Sequence, residues 1–216
     1  MPHQNRVDPY GAIFRSPARG TLMGNRGGPL HNDRREIVRD FKNERWIACL
    51  LEFRGVRRFV MSPGRYTELF FLDEAVAFAA GHRPCAECRR ERFNAFKAAW
   101  KLRDPSGSAA DPRAPEIDRE LHSTRIDSQG RKRTSQAPLN ALPNGAFVEL
   151  EGSAFLVWGQ TLLLWTPEGY ARRDPRPPDR TVTVLTPWPV VECFAQGYQP
   201  QIHPSGRALL PVESAS

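Results

Sequence analysis

No apolar run in the 216 residues is long enough to span a bilayer, so no transmembrane helix is expected. The opening MPHQNRVDPYGAIFRSPARG has no apolar stretch of the kind a secretory signal carries. A cytoplasmic protein with reduced thiols is expected. Cysteine is scarce, at four residues. Two of the four are spaced C-x-x-C, and in a reducing compartment that pair reads as a metal or redox site rather than a structural disulfide. No internal repeat is visible.

Lysine is nearly missing from the first half. Residues 1–103 contain 17 Arg and 3 Lys against 11 Asp+Glu, a balance of +9, whereas the remainder carries −2. The whole-chain charge of +7 and pI near 9.7 therefore belong to the half with the C-x-x-C pair. Arginine suits bidentate phosphate contacts. Nucleic acid is the expected partner, DNA before RNA, and no membrane is expected.

Three regions follow along the chain. Up to residue 103, the Gly/Pro-rich PYGAIFRSPARGTLMGNRGGPLHND reads as turns and extended chain. RWIACLLEFRGVRRFVM reads as a hairpin, with Ile47, Cys49, Leu51 and Phe53 on one face and the turn at Gly55. Asp73 caps a helix over EAVAFAAG that Gly81 closes. RRERFNAFKAAWKL places Phe93, Phe96, Ala99 and Trp100 at helical spacing. Residues 104–140 read as a linker with a short helix at IDRELHSTRI and a basic loop at DSQGRKRTSQ. Residues 141–216 change texture: GAFVELEGSAFLVWGQTLLLWTP is a small meander, RTVTVLTP a further strand, and VVECFAQGYQP a turn of helix ending at Gly197. The expected fold is α+β, a small zinc-stabilised α/β module (1–103) followed by a β-rich domain (141–216).

The candidate site centres on AAGHRPCAECRR. A short turn lets both thiolates of a C-x-x-C reach one ion, and zinc in a structural site takes four ligands. Cys85 and Cys88 supply two. His31, at the end of a Gly-rich turn, is a candidate third and Cys49 a candidate fourth, although a buried inert thiol suits its strand face equally. His82 lies close to Cys85, and Asp33 is a possible oxygen ligand. Arg83, Arg89, Arg90 and Arg92 surround the pair and are the expected phosphate contacts.

FFLDEAVAFAAGHRPCAECRR resembles the second half of the Ada-type zinc-binding module of alkylation-repair proteins and of small domains appended to some nucleases. Phe71, Glu74, Ala75, Ala80, Gly81, Arg83, Pro84, Cys85 and Cys88 match, with His82 at an aromatic position. MGNRGGPLH resembles the start of the nuclease-appended form through Gly24, Asn25 and His31. The resemblance, over about residues 21–92, implies that Cys85 and Cys88 bind zinc and that the protein serves DNA repair or processing. A further ligand Cys of that family falls on Arg35 here.

Two other classes share P-C-x-x-C. A zinc hydrolase or nucleobase deaminase would hold a water on a zinc bound by one His and two Cys, with His31-Asn32-Asp33 standing for its His-x-Glu. Asp33 is one methylene shorter than that glutamate. A thiol-disulfide exchanger would use the same cysteines beside Arg83, Arg89 and Arg90. The lead-in EAVAFAAGHRP is not the strand that such enzymes place there.

Overall fold

Asp73 shows how local sequence sets the fold. Its side chain accepts the Val76 backbone N–H at 2.9 Å and starts a helix whose every residue is buried. In a computed structural model, which describes residues 1–55, 59–104, 106 and 110–211, that helix lies at the centre of an α+β protein. The elements run β1 (Gln4–Val7), β2 (Ile13–Arg15), β3 (Leu22–Arg26), β4 (Trp46–Leu50), β5 (Leu69–Phe71), α1 (Glu74–Ala79), β6 (Arg83–Pro84), α2 (Arg90–Lys101) and α3 (Ala114–Arg125). They continue with β7 (Ser135–Pro138), β8 (Phe147–Leu150), β9 (Ser153–Trp158), β10 (Thr161–Thr166), β11 (Gly169–Pro175), β12 (Thr181–Val184), α4 (Trp188–Ala195) and α5 (Pro204–Leu209).

Two six-stranded sheets result. The first has the order β2-β1-β5-β3-β4-β6 and mixes parallel with antiparallel pairs. The second, β11-β10-β9-β8-β12-β7, is antiparallel throughout and contains the meander read from the sequence.

The segment 45–61 folds differently from the expected hairpin. Only Trp46–Leu50 is a strand, and its partners are β3 and the two-residue β6 rather than a second arm beyond Gly55. Residues 56–58 of the expected hairpin lie outside the described residues. The strand's alternating apolar face is satisfied in the middle of a sheet, where both edges find partners.

The segments 1–103 and 141–216 contribute to one hydrophobic cluster. Leu22, Ala48, Phe71 and α1 pack with Phe147, Leu156, Tyr170 and Ile202. A second cluster joins α2, α3 and α4 through Phe96, Leu121 and Phe194. The segment read as a linker holds α3 and contributes β7 to the second sheet; its residues 105 and 107–109 are outside the described set. The chain turns sharply after α1 at Gly81, at φ +85°, where a Cβ would sit 2.6 Å from the Arg125 side chain. Glycine answers both the backbone and the packing there. Among the described residues no helix is long and apolar enough to cross a membrane.

Candidate metal centre

The parallel pairing of β4 with β6 sets Ile47 opposite Arg83 and Ala48 opposite Pro84. Continuing one residue along each strand brings Cys49 beside Cys85, whose backbone N–H donates to Ala48 O at 2.9 Å. The C-x-x-C turn then folds Cys88 back over the same point, and α2 begins two residues later. The three Sγ atoms lie within 4.8 Å of one another, so Cys49, Cys85 and Cys88 form a group that can hold a metal ion. Cys49 and Cys85 are buried and Cys88 is half-buried. Met23, which pairs with Cys49 across the ladder, packs with Ile47 and Phe70 as an apolar wall behind the sulfurs.

Backbone N–H groups point at two of the sulfurs. Glu87 donates to Cys85 Sγ and Leu50 donates to Cys88 Sγ, each at 3.4 Å. The Cys49 thiol lies against both of the other sulfurs. That contact, helped by the amides of Cys88 and Glu87, brings Cys85 down to about 5. Cys88 is lowered by the same thiol and by the Leu50 amide, and Cys49 is raised in turn by its bonds to Cys85 and Cys88. Cys85 and Cys88 thus favour thiolate, the form that binds metal, while Cys49 keeps its proton.

Of the four ligands expected from sequence, the structure brings together three. His31 is not in the group. Its Gly-rich turn does bury it, but its Nδ1 lies 2.6 Å from Thr67 Oγ1 and its Nε2 3.2 Å from Ser62 O, so both ring nitrogens are engaged elsewhere. Asp33 is exposed and outside the group. His82 is also outside, packed with its ring centroid 4.6 Å from that of Phe71 and 5.2 Å from that of Trp46.

The four arginines divide. Arg83 makes a two-bonded pair with Asp118, at 2.8 Å for both bonds, with only 4% and 7% of the two side chains exposed. Arg89 is buried against Glu74 at 2.9 Å, and Arg92 reaches the other oxygen of the same carboxylate at 2.7 Å. Tyr198 Oη and the Gln201 amide, both 2.7 Å away, complete the Glu74 shell. Arg83 and Arg89 brace the C-x-x-C turn from inside and Arg92 from its half-buried flank, where phosphate contact was expected. Arg90 alone is exposed. The acidic partners, fifteen and more positions away in sequence, carry no spacing signal.

Beside the sulfurs, a cleft of about 360 Å³ is lined by Leu50, Glu87, Cys88, Arg90, Arg92 and Gln201. Cys88 is the sulfur that faces it. A scan against protein-family models finds no match, and neither curated proteins nor solved structures match the chain.

Proposed function

We propose that the protein is a zinc protein whose Cys49, Cys85 and Cys88 hold one Zn²⁺, and that its basic N-terminal region serves nucleic acid, DNA before RNA, in repair or processing. The observation that carries the first part is the convergence of three sulfurs from two strands and a turn. Zinc at ~2.3 Å from each thiolate needs sulfurs ~3.8 Å apart in a regular tetrahedron, which a small closure of the group provides. The ligands are soft and the wall behind them is apolar, as suits zinc. The ion would tie β4 to the start of α2 and share that task with Arg83 and Arg89.

The nucleic-acid part rests on charge. With Arg83, Arg89 and Arg92 paired, part of the +9 of residues 1–103 is carried by exposed side chains such as Arg34, Arg35, Arg39, Arg45 and Arg90. Exposed arginines suit sequence-independent phosphate contact.

The cleft at Cys88 favours a second reading. If the fourth zinc position opens there, a bound water makes the site a hydrolase centre. The deaminase form of that reading required His31 as a ligand, and His31 is bonded to Thr67 and Ser62. Elemental analysis and cobalt substitution test the proposal together. About one zinc per chain and a cobalt spectrum of tetrahedral, thiolate-rich type are expected. A metal-free, fully stable protein overturns it.

A further inference from the structure

The opposite end of β4 carries a second chemistry. Arg26, at the last position of β3, is 2% exposed, and Arg125, at the end of α3, is 1% exposed. Lys132 enters the same space from the loop before β7, its Nζ 2.5 Å from Ala79 O. Together they line a cleft of about 320 Å³, with Tyr10 and Gly130 at its sides. Trp46 fixes the two guanidinium groups, whose carbons lie 4.2 Å (Arg26) and 4.0 Å (Arg125) from its ring.

Buried cations are ordinarily paired with carboxylates, because an unpaired buried charge is costly. Arg26 and Arg125 are buried and Lys132 is half-buried, and none of the three makes an ion pair with a described residue. Asp40 also lines the cleft, and it, Asp8, Glu44 and Asp118 act on the three only through space. Asp118 is already held by Arg83, and Arg131 on the rim is held by Asp127 at 2.8 Å. Backbone carbonyls are the main partners instead. Arg26 donates to Gly11 O, Asp40 O and His82 Nε2, which leaves two of its five N–H groups free. Arg125 donates to Gly81 O, Glu44 O and His122, and its Nε has no partner at all. Lys132 spends one N–H of three.

We propose that this cleft binds a terminal phosphate, the monoester group of a small molecule or of a nucleic-acid end. Three basic side chains from three elements converge on one space, where Arg26 and Lys132 keep unspent donors, which fits a tetrahedral oxyanion with several oxygens to satisfy. Arg26 and Arg125 expose only 2% and 1% of their surface, so an anion that reaches them has to be slim and enter end-on. A phosphate inside a continuous backbone, substituted on two sides, meets only the rim. Mutual repulsion among the cations points the same way. Burial first, then the charge of Arg26, pushes Lys132 down to about 7, and burial lowers Arg125 to about 9. A bound dianion would offset both effects by favouring the charged forms. The site stands apart from the three-cysteine centre and does not depend on zinc or on the basic face.

Thermal unfolding of the full-length protein in inorganic phosphate, against chloride at equal ionic strength, tests it. A saturable rise in Tm is expected from binding to the folded state alone. Lys132→Gln should weaken phosphate at least about tenfold, the scale of one charge-assisted contact, while Lys132→Arg retains most of the affinity and Arg172→Gln all of it. In ¹⁵N NMR spectra of the wild type, phosphate should shift the amides of Gly11 and Gly130, which keeps the proposal testable if Lys132→Gln does not fold. No phosphate-specific rise, an unchanged response in Lys132→Gln, or shifts confined to other glycines overturns it. A 5′-phosphorylated dinucleotide that binds more than about tenfold tighter than phosphate, with its 5′-hydroxyl counterpart silent, assigns the group to a nucleic-acid end. A smaller gain assigns it to a small phosphomonoester.

Discussion

Arg83 and Asp118 meet through two parallel hydrogen bonds of 2.8 Å, linking the strand that leads into the C-x-x-C turn to the middle of α3. Both side chains are almost wholly enclosed. Asp118→Ala should therefore destabilise the protein by about 3–5 kcal/mol, since it strands a buried guanidinium. Glu116→Ala, which removes an exposed pair with Arg113 and the cap on its backbone N–H, should cost clearly less. Denaturant unfolding compares the two, and equal costs contradict the bracing role.

Cysteine substitutions should separate sharply. Cys49→Ser, Cys85→Ser and Cys88→Ser should each lose most of the zinc and lower Tm, because metal binding and local folding are coupled. Cys193→Ala, in the helical cluster, should keep the full complement of metal whatever it does to stability. Metal content per chain is the readout.

Arg89→Ala and Arg90→Ala, adjacent in sequence, should have opposite effects. The first leaves Glu74 short of a buried partner and should cost about 3 kcal/mol or more of stability. The second should leave stability within about 0.5 kcal/mol and reduce the salt slope of DNA binding by about one contact. Anisotropy titrations at two salt concentrations, with thermal unfolding alongside, decide it. A DNA affinity independent of salt refutes the nucleic-acid reading.

Asp73 gives a pH signature. Burial pushes its carboxyl up to about 6, against the lowering bonds of the Val76 and His203 amides and the Tyr170 hydroxyl. A folded pKa above the unfolded one means the native state binds the proton more tightly. Stability relative to Asp73→Asn should thus rise as the pH falls from about 6 to about 4, by up to about 3 kcal/mol. A flat difference over that range disproves it.

The parts of this molecule that were legible in sequence are those decided locally. The Asp73 cap, the Gly81 stop and the Phe93, Phe96, Ala99 and Trp100 stripe depend on residues within one or two turns. The alternation at 46–50 announced a strand but could not name its neighbours. Those neighbours, β3 and β6, carry Cys49 to Cys85. His31 was read as a ligand because its glycine turn brings it inward, but Thr67 Oγ1 awaits it there. Counting charge found the arginines and could not see Glu74 or Asp118, which meet them only in the folded chain. Arg26, Arg125 and Lys132 stand far apart in sequence, so no spacing announced their cleft.

The shell around α1 bears on the order of events during synthesis. Glu74 waits for Tyr198, 124 positions later, and Asp73 waits for His203, 130 positions later. At roughly 5–20 residues per second, the ribosome leaves the central helix without these partners for about 6–26 s. Cys49, Cys85 and Cys88 emerge well before that. On the proposed metal reading, an ion bound early at these sulfurs would hold the sheet edge in register while α1 is still uncovered.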